Sequence, residues 1–372
     1  MTAAPDTPVL VSRRLVADGA PLPVLQEVRC GPPGRGELRI RAAWSLVSPG
    51  TELHYLDRSA RTGERFPLGY CSAGTVEATG PGTPGFAPGD RVIAMGWGEA
   101  VHADVVTVPH RLCRQVPDRL GLDHAVVACL AATAVHAVDR ATLCDGDEVA
   151  VVGAGIVGQL AAQTAAARGH PVTLLDVRQD RLRGAATLGL DVAEAGAFLA
   201  GSGGRSAGGR SAGGRCVLLC GTGDADETVA AAARWAGRAP GRPRLVGVGR
   251  FAARVEFSVE LGNLDIRYAA RCGAGYRDPS YARGLTEVTA PAGEGTVTEN
   301  LQRALALIDA GAIRPAAMML PRFPLGQADR AYAELRERPP HPAVLFAHGS
   351  HPPDAPHDLR RSGGRAEEPR AL

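Results

Sequence analysis

The sequence predicts an α/β protein in two parts: a mostly-β portion, then a doubly wound parallel sheet with helices on both faces. Two observations carry this. Up to about residue 143, short apolar runs are broken by Gly and Pro, the pattern of strands joined by turns. Beyond that point strands alternate with helices, the arrangement that builds a parallel sheet. At 372 residues the chain is long enough for two domains.

In chain order, ELRIRAAWSLV (37–47), SAGTVEATG (72–80), DRVIAMGW (90–97) and ADVVTVP (103–109) each read as a strand with turn residues at its ends. DHAVVACLAATAVHAVDRA (123–141) is apolar throughout with few breakers and reads as a helix. EVAVVGAG (148–155) is a strand, IVGQLAAQTAAARG (156–169) a helix and PVTLLDV (171–177) the next strand. CVLLCGTG (216–223) and RLVGVG (244–249) are two more. Ahead of them GSGGRSAGGRSAGGR (201–215), a tandem RSAGG repeat, has the composition of a flexible surface loop. The tail from 349 has the composition of disorder.

Composition narrows the function. Net charge is +2 and hydrophobic content 45%, ordinary for a globular protein, and no basic patch suggests nucleic acid. No run reaches the roughly 18 apolar residues of a membrane span, so no membrane is expected. The start, MTAAPDTPVLVSRR, has no long apolar stretch, and a cytoplasmic setting is expected. There is no lysine: all 41 Lys+Arg are arginine, which excludes Schiff-base chemistry and a lysine base. The eight cysteines form no CxxC pair and read as small buried hydrophobes rather than a disulfide framework.

VAVVGAGIVGQ sets Gly153, Gly155 and Gly158 in a G-x-G-x-x-G run, preceded by a β-branched strand and opening an alanine-rich helix. In that context the run is the fingerprint of a Rossmann dinucleotide-binding domain. Gly153 permits the tight turn, Gly155 lets the backbone approach a pyrophosphate, and Gly158 lets helix and strand close together. Ile156 and Val157 open the helix whose free N–H groups favour an anion. Asp176 ends the next strand, 23 residues after Gly153, where an acid accepts bonds from the adenosine ribose. Its charge repels a 2′-phosphate, so NAD is favoured over NADP, although Arg178 lies two residues on. Arg181 and the strand-end residues Cys220, Gly221, Thr222, Gly247 and Gly249 complete the candidate cofactor-binding set.

With these segments in order, the chain resembles the medium-chain dehydrogenase/reductase superfamily over about residues 9 to 348. The signatures are SPGTELH, PLGYCSAGTVEATG, FAPGDRV, HADVVTVP, CLAATAVHAV and VAVVGAGIVG. It is most similar to bacterial biosynthetic members that read "S-x-GTE" and "PLGYSSAG", with YRDPSY (276–281) echoing their "YDPSY". The resemblance implies a GroES-like catalytic domain over 9–143 and 290–348, a Rossmann NAD-binding domain over 144–289, and a homodimer. Zinc members take three catalytic ligands, and motif for motif this chain offers Pro49, Tyr70 and Cys129. Proline cannot ligate and one thiolate cannot hold the ion. The cysteine-rich structural zinc lobe has no counterpart either. The resemblance therefore implies a member without zinc.

What it leaves is Thr51, where relatives have the hydroxyl that meets the substrate oxygen, and His54, where some have the histidine that passes the proton to solvent. Tyr70 then points its O–H toward the place of the metal. Structural readings stand beside these: Thr51 as a helix cap, His54 as a solvated residue, Tyr70 as a pocket wall. Trp97, Cys129 and Arg277 are candidates to line the substrate cleft, with packing or loop-bracing roles as the other reading. His102 and His136 are expected to pack and satisfy backbone groups. The expected activity is hydride transfer between NAD(H) and an alcohol or ketone on a polyol, sugar-like or cyclic biosynthetic intermediate. Carbon–carbon double-bond reduction, epimerisation with recycled NAD, and a non-catalytic NAD(H) sensor or partner subunit remain open at this point.

Overall fold

The computed structural model describes residues 10–200, 214–221, 223–255 and 259–349. The expected loop over 201–215 falls almost wholly outside these residues, as does the tail beyond 349. Its two large sheets divide the chemistry. Strands Glu148–Val152, Val172–Asp176, Asp191–Glu194, Arg215–Leu219, Arg244–Gly247 and Asp265–Tyr268 form one parallel sheet. Numbered within this sheet, their spatial order is 3-2-1-4-5-6, that of doubly wound dinucleotide folds. The central strand EVAVV has its first four residues buried, the continuous apolar run of a strand covered on both faces.

The other sheet has seven strands. Glu37–Leu46 pairs antiparallel with Cys71–Thr79, Val105–Pro109 and Leu345–Ala347. Arg91–Met95 and Cys113–Gln115 continue it on one side and Arg322–Pro324 on the other. The chain thus returns after the parallel sheet to finish the first sheet, because residues 322–324 and 345–347 pair there. A smaller sheet, Val24–Cys30, Leu10–Ala17 and Phe66–Pro67, packs beside it.

The helix Ala128–Ala141 joins the two halves. It is mostly apolar, and twelve of its fourteen residues are buried, as expected of a helix covered on most sides. It packs against Ile156–Ala167 of the dinucleotide half and against Val297–Asp309. The expectation that no segment has membrane-span character needs correcting. Leu122–Ala141 is long and apolar enough by length and composition, yet 78% of the apolar window lies inside the protein, so the packed core accounts for its hydrophobicity.

The helix Pro49–Thr62 carries two of the catalytic candidates, Thr51 and His54. Ser48 sits at its N-cap and Pro49 at its first position, where a missing N–H costs nothing. Gly63 ends it in the left-handed conformation, φ 71°, and donates its N–H to the Ser59 carbonyl.

Candidate active site

The cofactor half is built by the glycine turn. Gly153 has φ +103°, which a side chain resists. A Cβ on Gly158 would lie 1.8 Å from the Gly153 carbonyl oxygen, so only glycine lets the helix pack this close. A Cβ on Gly155 would meet nothing within 4 Å, leaving open space where a pyrophosphate approaches. Ile156 and Val157 form the first turn of the helix beside that space.

Asp176 is buried, and its carboxylate accepts the N–H of Ala154 at 2.7 Å and of Arg178 at 2.9 Å. A carboxylate has about four acceptor sites, so two stay available to ribose hydroxyls. Arg181 lies close enough to Asp176 for its charge to be felt, and its buried Nε has no partner. Arg178, which left room for a 2′-phosphate, is committed elsewhere, to Asp180 (Nε–Oδ1 3.1 Å) and the Arg338 carbonyl. Cys220, Gly221 and Gly249 converge beside Gly153: a Cβ on Gly249 would lie 2.1 Å from the Gly221 oxygen. Burial pushes the Cys220 thiol up to about 12. Gly247 is buried against the Phe251 and Tyr268 rings. Thr222 lies outside the described residues. An orphaned guanidinium nitrogen, an acid with spare acceptors and a cradle open at Gly155 together fit a dinucleotide.

Across the cleft, Tyr70 precedes the strand Cys71–Thr79, and its carbonyl accepts the Gly96 N–H at 3.0 Å. The hydroxyls of Ser48 and Thr51 lie near enough to the Tyr70 hydroxyl to act on its pKa, and Ser48 Oγ lies 3.5 Å from Thr51 Oγ1. Burial, the largest influence, raises the Tyr70 pKa well above that of a free phenol. Thr51 sits within the first helical turn, after the N-cap, so Ser48 holds the capping position that sequence reasoning gave to Thr51.

Trp97 stands in a turn between Gly96 and Gly98, both at positive φ. Its ring lies 4.2 Å from Tyr55 and 6.0 Å from Tyr70, and its backbone N–H donates to the Tyr276 hydroxyl at 3.0 Å. Arg277, expected to line the cleft, is exposed; its neighbour Tyr276 turns inward instead. Cys129 is fully buried with its thiol donating to the Ala94 carbonyl at 3.3 Å, so it packs in the core rather than lining the cleft. His54 is half-buried, and Arg250 Nη1 lies 3.1 Å from its Nε2. Burial, followed by the Arg250 charge, lowers the His54 pKa.

His102 departs from its expected role of satisfying backbone groups. Its Nε2 lies 2.9 Å from Glu52 and its Nδ1 2.7 Å from Ser45 Oγ. Gly69 makes this approach feasible, since a Cβ there would sit 2.6 Å from the His102 backbone nitrogen and 2.7 Å from its Cγ. His136 lies 3.7 Å from Glu294, with Nδ1 buried and unbonded. Ser48, Tyr55, Tyr276 and Arg250 were missed by sequence reasoning. Ser48 had a signal, as a serine ahead of proline at a helix start; Arg250 had none. Among the described residues, no group of three or more His, Cys, Asp or Glu is arranged to hold a metal. At the positions where relatives hold zinc, Pro49 offers no donor atom and the Cys129 thiol is turned to the Ala94 carbonyl.

The doubly wound sheet and its glycine cradle, set against a β-rich half, define a two-domain dinucleotide-binding protein. Comparison with known proteins agrees. Residues 148–194 match the family of the 3-hydroxyacyl-CoA dehydrogenase NAD binding domain. The spectinabilin polyketide synthase system protein NorB of Streptomyces orinoci is 33% identical over 262 residues, 67% of this chain and 10% of that protein. An uncharacterized zinc-type alcohol dehydrogenase-like protein of Haemophilus influenzae is 34% identical over 88 residues, 24% of this chain and 26% of that one. Sorbitol dehydrogenase of Bombyx mori is 36% identical over 80 residues, 21% of this chain and 23% of that enzyme. The chain thus spans only a tenth to about a quarter of these relatives' lengths.

In fold it is similar to 2R,3R-butanediol dehydrogenase from Bacillus subtilis, with a TM-score of 0.69 and 16% identity, covering 91% of this chain and 100% of that one. An alcohol dehydrogenase superfamily protein from Novosphingobium aromaticivorans gives 0.71 and 22%, again over 91% and 100%. In these matched stretches and in fold, the chain resembles the zinc-type alcohol dehydrogenase-like proteins of the medium-chain dehydrogenase/reductase superfamily.

Proposed function

We propose that the protein is an NAD(H)-dependent oxidoreductase that interconverts an alcohol and a ketone on a polyol, sugar-like or cyclic biosynthetic intermediate without zinc. The observation that carries this reading is the cluster of the Tyr70, Ser48 and Thr51 hydroxyls at the start of the helix Pro49–Thr62. A bound nicotinamide supplies or accepts the hydride. Tyr70 does what a Lewis acid does elsewhere: its O–H donates to the substrate oxygen as charge gathers there. Its raised pKa keeps it protonated at neutral pH, so it serves as a donor and not as a base. Thr51 and Ser48 orient that hydroxyl. His54, neutral because its pKa is lowered, exchanges the proton with solvent when Arg250 releases Nε2.

NAD is favoured over NADP because Asp176 repels a 2′-phosphate while Arg178 is already engaged. A homodimer is part of this reading: the edge strand Asp265–Tyr268 leaves Ile266 44% and Tyr268 55% exposed, apolar surface beside unpaired backbone groups. So is a reducing cytoplasm, in which eight free cysteines persist. A second reading, reduction of a carbon–carbon double bond conjugated to a carbonyl, is favoured by the polyketide synthase relatives, which include pikromycin synthase component PikAII of Streptomyces venezuelae.

One preparation tests both. Metal content is measured, NADH and NADPH are titrated by fluorescence, and alcohols, ketones and enones are screened with Tyr70→Phe as control. NADH preference, no stoichiometric zinc and ketone turnover lost in Tyr70→Phe support the first reading. Stoichiometric zinc overturns the metal-free site, and NADPH preference with enone turnover selects the second.

A further inference from the structure

We propose that the cleft recognises a substrate carrying an anionic group, a carboxylate or phosphate, through Arg250. This rests on the oxidoreductase reading and names the substrate class for the same site. Arg250 follows Gly249 just past the carboxyl end of the strand Arg244–Gly247, the side on which doubly wound sheets hold ligands. It reaches across the cleft to the catalytic half, its Nη1 3.1 Å from His54 Nε2 and its Cζ 6.0 Å from the Tyr55 ring centre. The guanidinium is exposed, and no carboxylate lies within ion-pair reach among the described residues.

Its surroundings share its sign. Arg250, Arg61 and Arg58 all act on His54 to disfavour its charged form, against Asp57 alone. Arg58 is answered by Glu64 and Asp57 by Arg336, so that among the described residues around His54 it is Arg250 and Arg61 that have no carboxylate ion-pair partner. A guanidinium whose hydrogen-bond partner is a neutral imidazole exchanges it readily for a carboxylate or phosphate, which accepts two parallel bonds. The same exchange releases His54 Nε2. The Tyr55–Trp97 pair beside it, 4.2 Å between centres, gives the substrate body a flat apolar wall.

The test uses matched probes on the full, NADH-loaded chain, with affinities from calorimetry. The pairs are dihydroxyacetone phosphate with dihydroxyacetone, and 4-oxocyclohexanecarboxylate with 4-methylcyclohexanone. An anionic member should bind about tenfold tighter or more than its neutral twin. The preference should weaken with salt, vanish in Arg250→Gln and persist in part in Arg250→Lys, with NADH affinity unchanged throughout. Equal binding of both twins, binding of neither, or a preference that survives Arg250→Gln overturns the proposal. NADH binding that weakens in proportion in Arg250→Gln assigns the residue to the coenzyme's phosphates and also overturns it. A chain that binds no NADH sinks the oxidoreductase reading itself; NADH binding without an anion preference sinks only this inference.

Discussion

Glu52 and His102 meet at 2.9 Å with neither side chain exposed to solvent. The Glu52 carboxylate also accepts the Ser48 N–H at 2.7 Å and the Tyr332 hydroxyl. Beyond His102 the chain of contacts runs through Ser45 to His348 Nε2, 2.8 Å from Ser45 Oγ, and then to Asp104 at 3.6 Å. Ser48, which bears on Tyr70, is therefore anchored by a buried carboxylate that the hydride chemistry does not touch.

Removing that anchor should cost more than its size suggests. Glu52→Ala leaves a buried histidine, a buried tyrosine hydroxyl and a helix-start N–H without their acceptor, and should destabilise the fold by about 3–5 kcal/mol. Glu52→Gln keeps an acceptor oxygen and should cost less. Urea unfolding of the two variants against the parent measures the difference; equal stability of all three would refute the anchoring role.

Acid should destabilise the protein from near neutrality. His348 is fully buried, and burial lowers its pKa; burial likewise leads for His136, His110, His341 and His54. Below the ordinary imidazole value of 6.5 the unfolded chain then binds more protons than the native one. Stability is thus complete above that value and falls with pH beneath it. Asp104 acts in a lower window. Burial pushes it up, but the nearby His348 ring and the hydrogen-bonded Arg13 guanidinium outweigh this and hold it well below the usual carboxylate range. Its contribution is present above the unfolded value of 3.8 and is lost as pH falls toward its native pKa. Melting temperatures between about pH 5 and pH 8 should decline on the acid side, less steeply in His348→Gln.

Two glycines of the cradle should separate folding from binding. Gly158→Ala forces a Cβ onto the Gly153 carbonyl and should lower both stability and NADH affinity. Gly155→Ala meets no protein atom, so the melting temperature should hold while NADH affinity drops about tenfold or more. A Gly155→Ala protein that binds NADH like the parent would place the pyrophosphate elsewhere.

Tyr70→Phe should lower kcat by about 10²–10³, the effect of losing one oriented donor to a developing oxyanion, with the NADH Kd unchanged. Ser48→Ala and Thr51→Val should each cost less, because they orient the donor without replacing it. Steady-state kinetics on any substrate found by screening decides this, and undiminished turnover in Tyr70→Phe would remove it from the reaction.

Thiol labelling should follow burial. Cys144 is exposed and should react quickly, Cys30 and Cys220 are part-buried and should lag, and the five buried cysteines should wait for unfolding. NADH should slow Cys220 further, since it lies beside Gly153.

The cofactor half was legible because its signals are local. A β-branched strand, three glycines, an alanine-rich helix and an acid fall within residues 148–176, and each imposes its geometry on immediate neighbours. The catalytic half was legible only where a motif was contiguous, as in SPGTELH. Arg250 reaches His54 across 196 residues and Trp97 bonds Tyr276 across 179, separations at which no periodicity survives. Cys129 carried suitable chemistry, but a core-facing helix position turns its thiol to the Ala94 carbonyl.

The sequence by itself determined the two halves, their order, the glycine cradle with its acid, and the loss of donors at Pro49, since these depend on residue type and short-range geometry. Tertiary structure decided which side chains share the cleft. Folding brings the helix start at Ser48, the turn at Trp97 and the strand end at Arg250 to one place. It also decided that His102 serves Glu52, because a buried carboxylate must find donors wherever the packed chain supplies them.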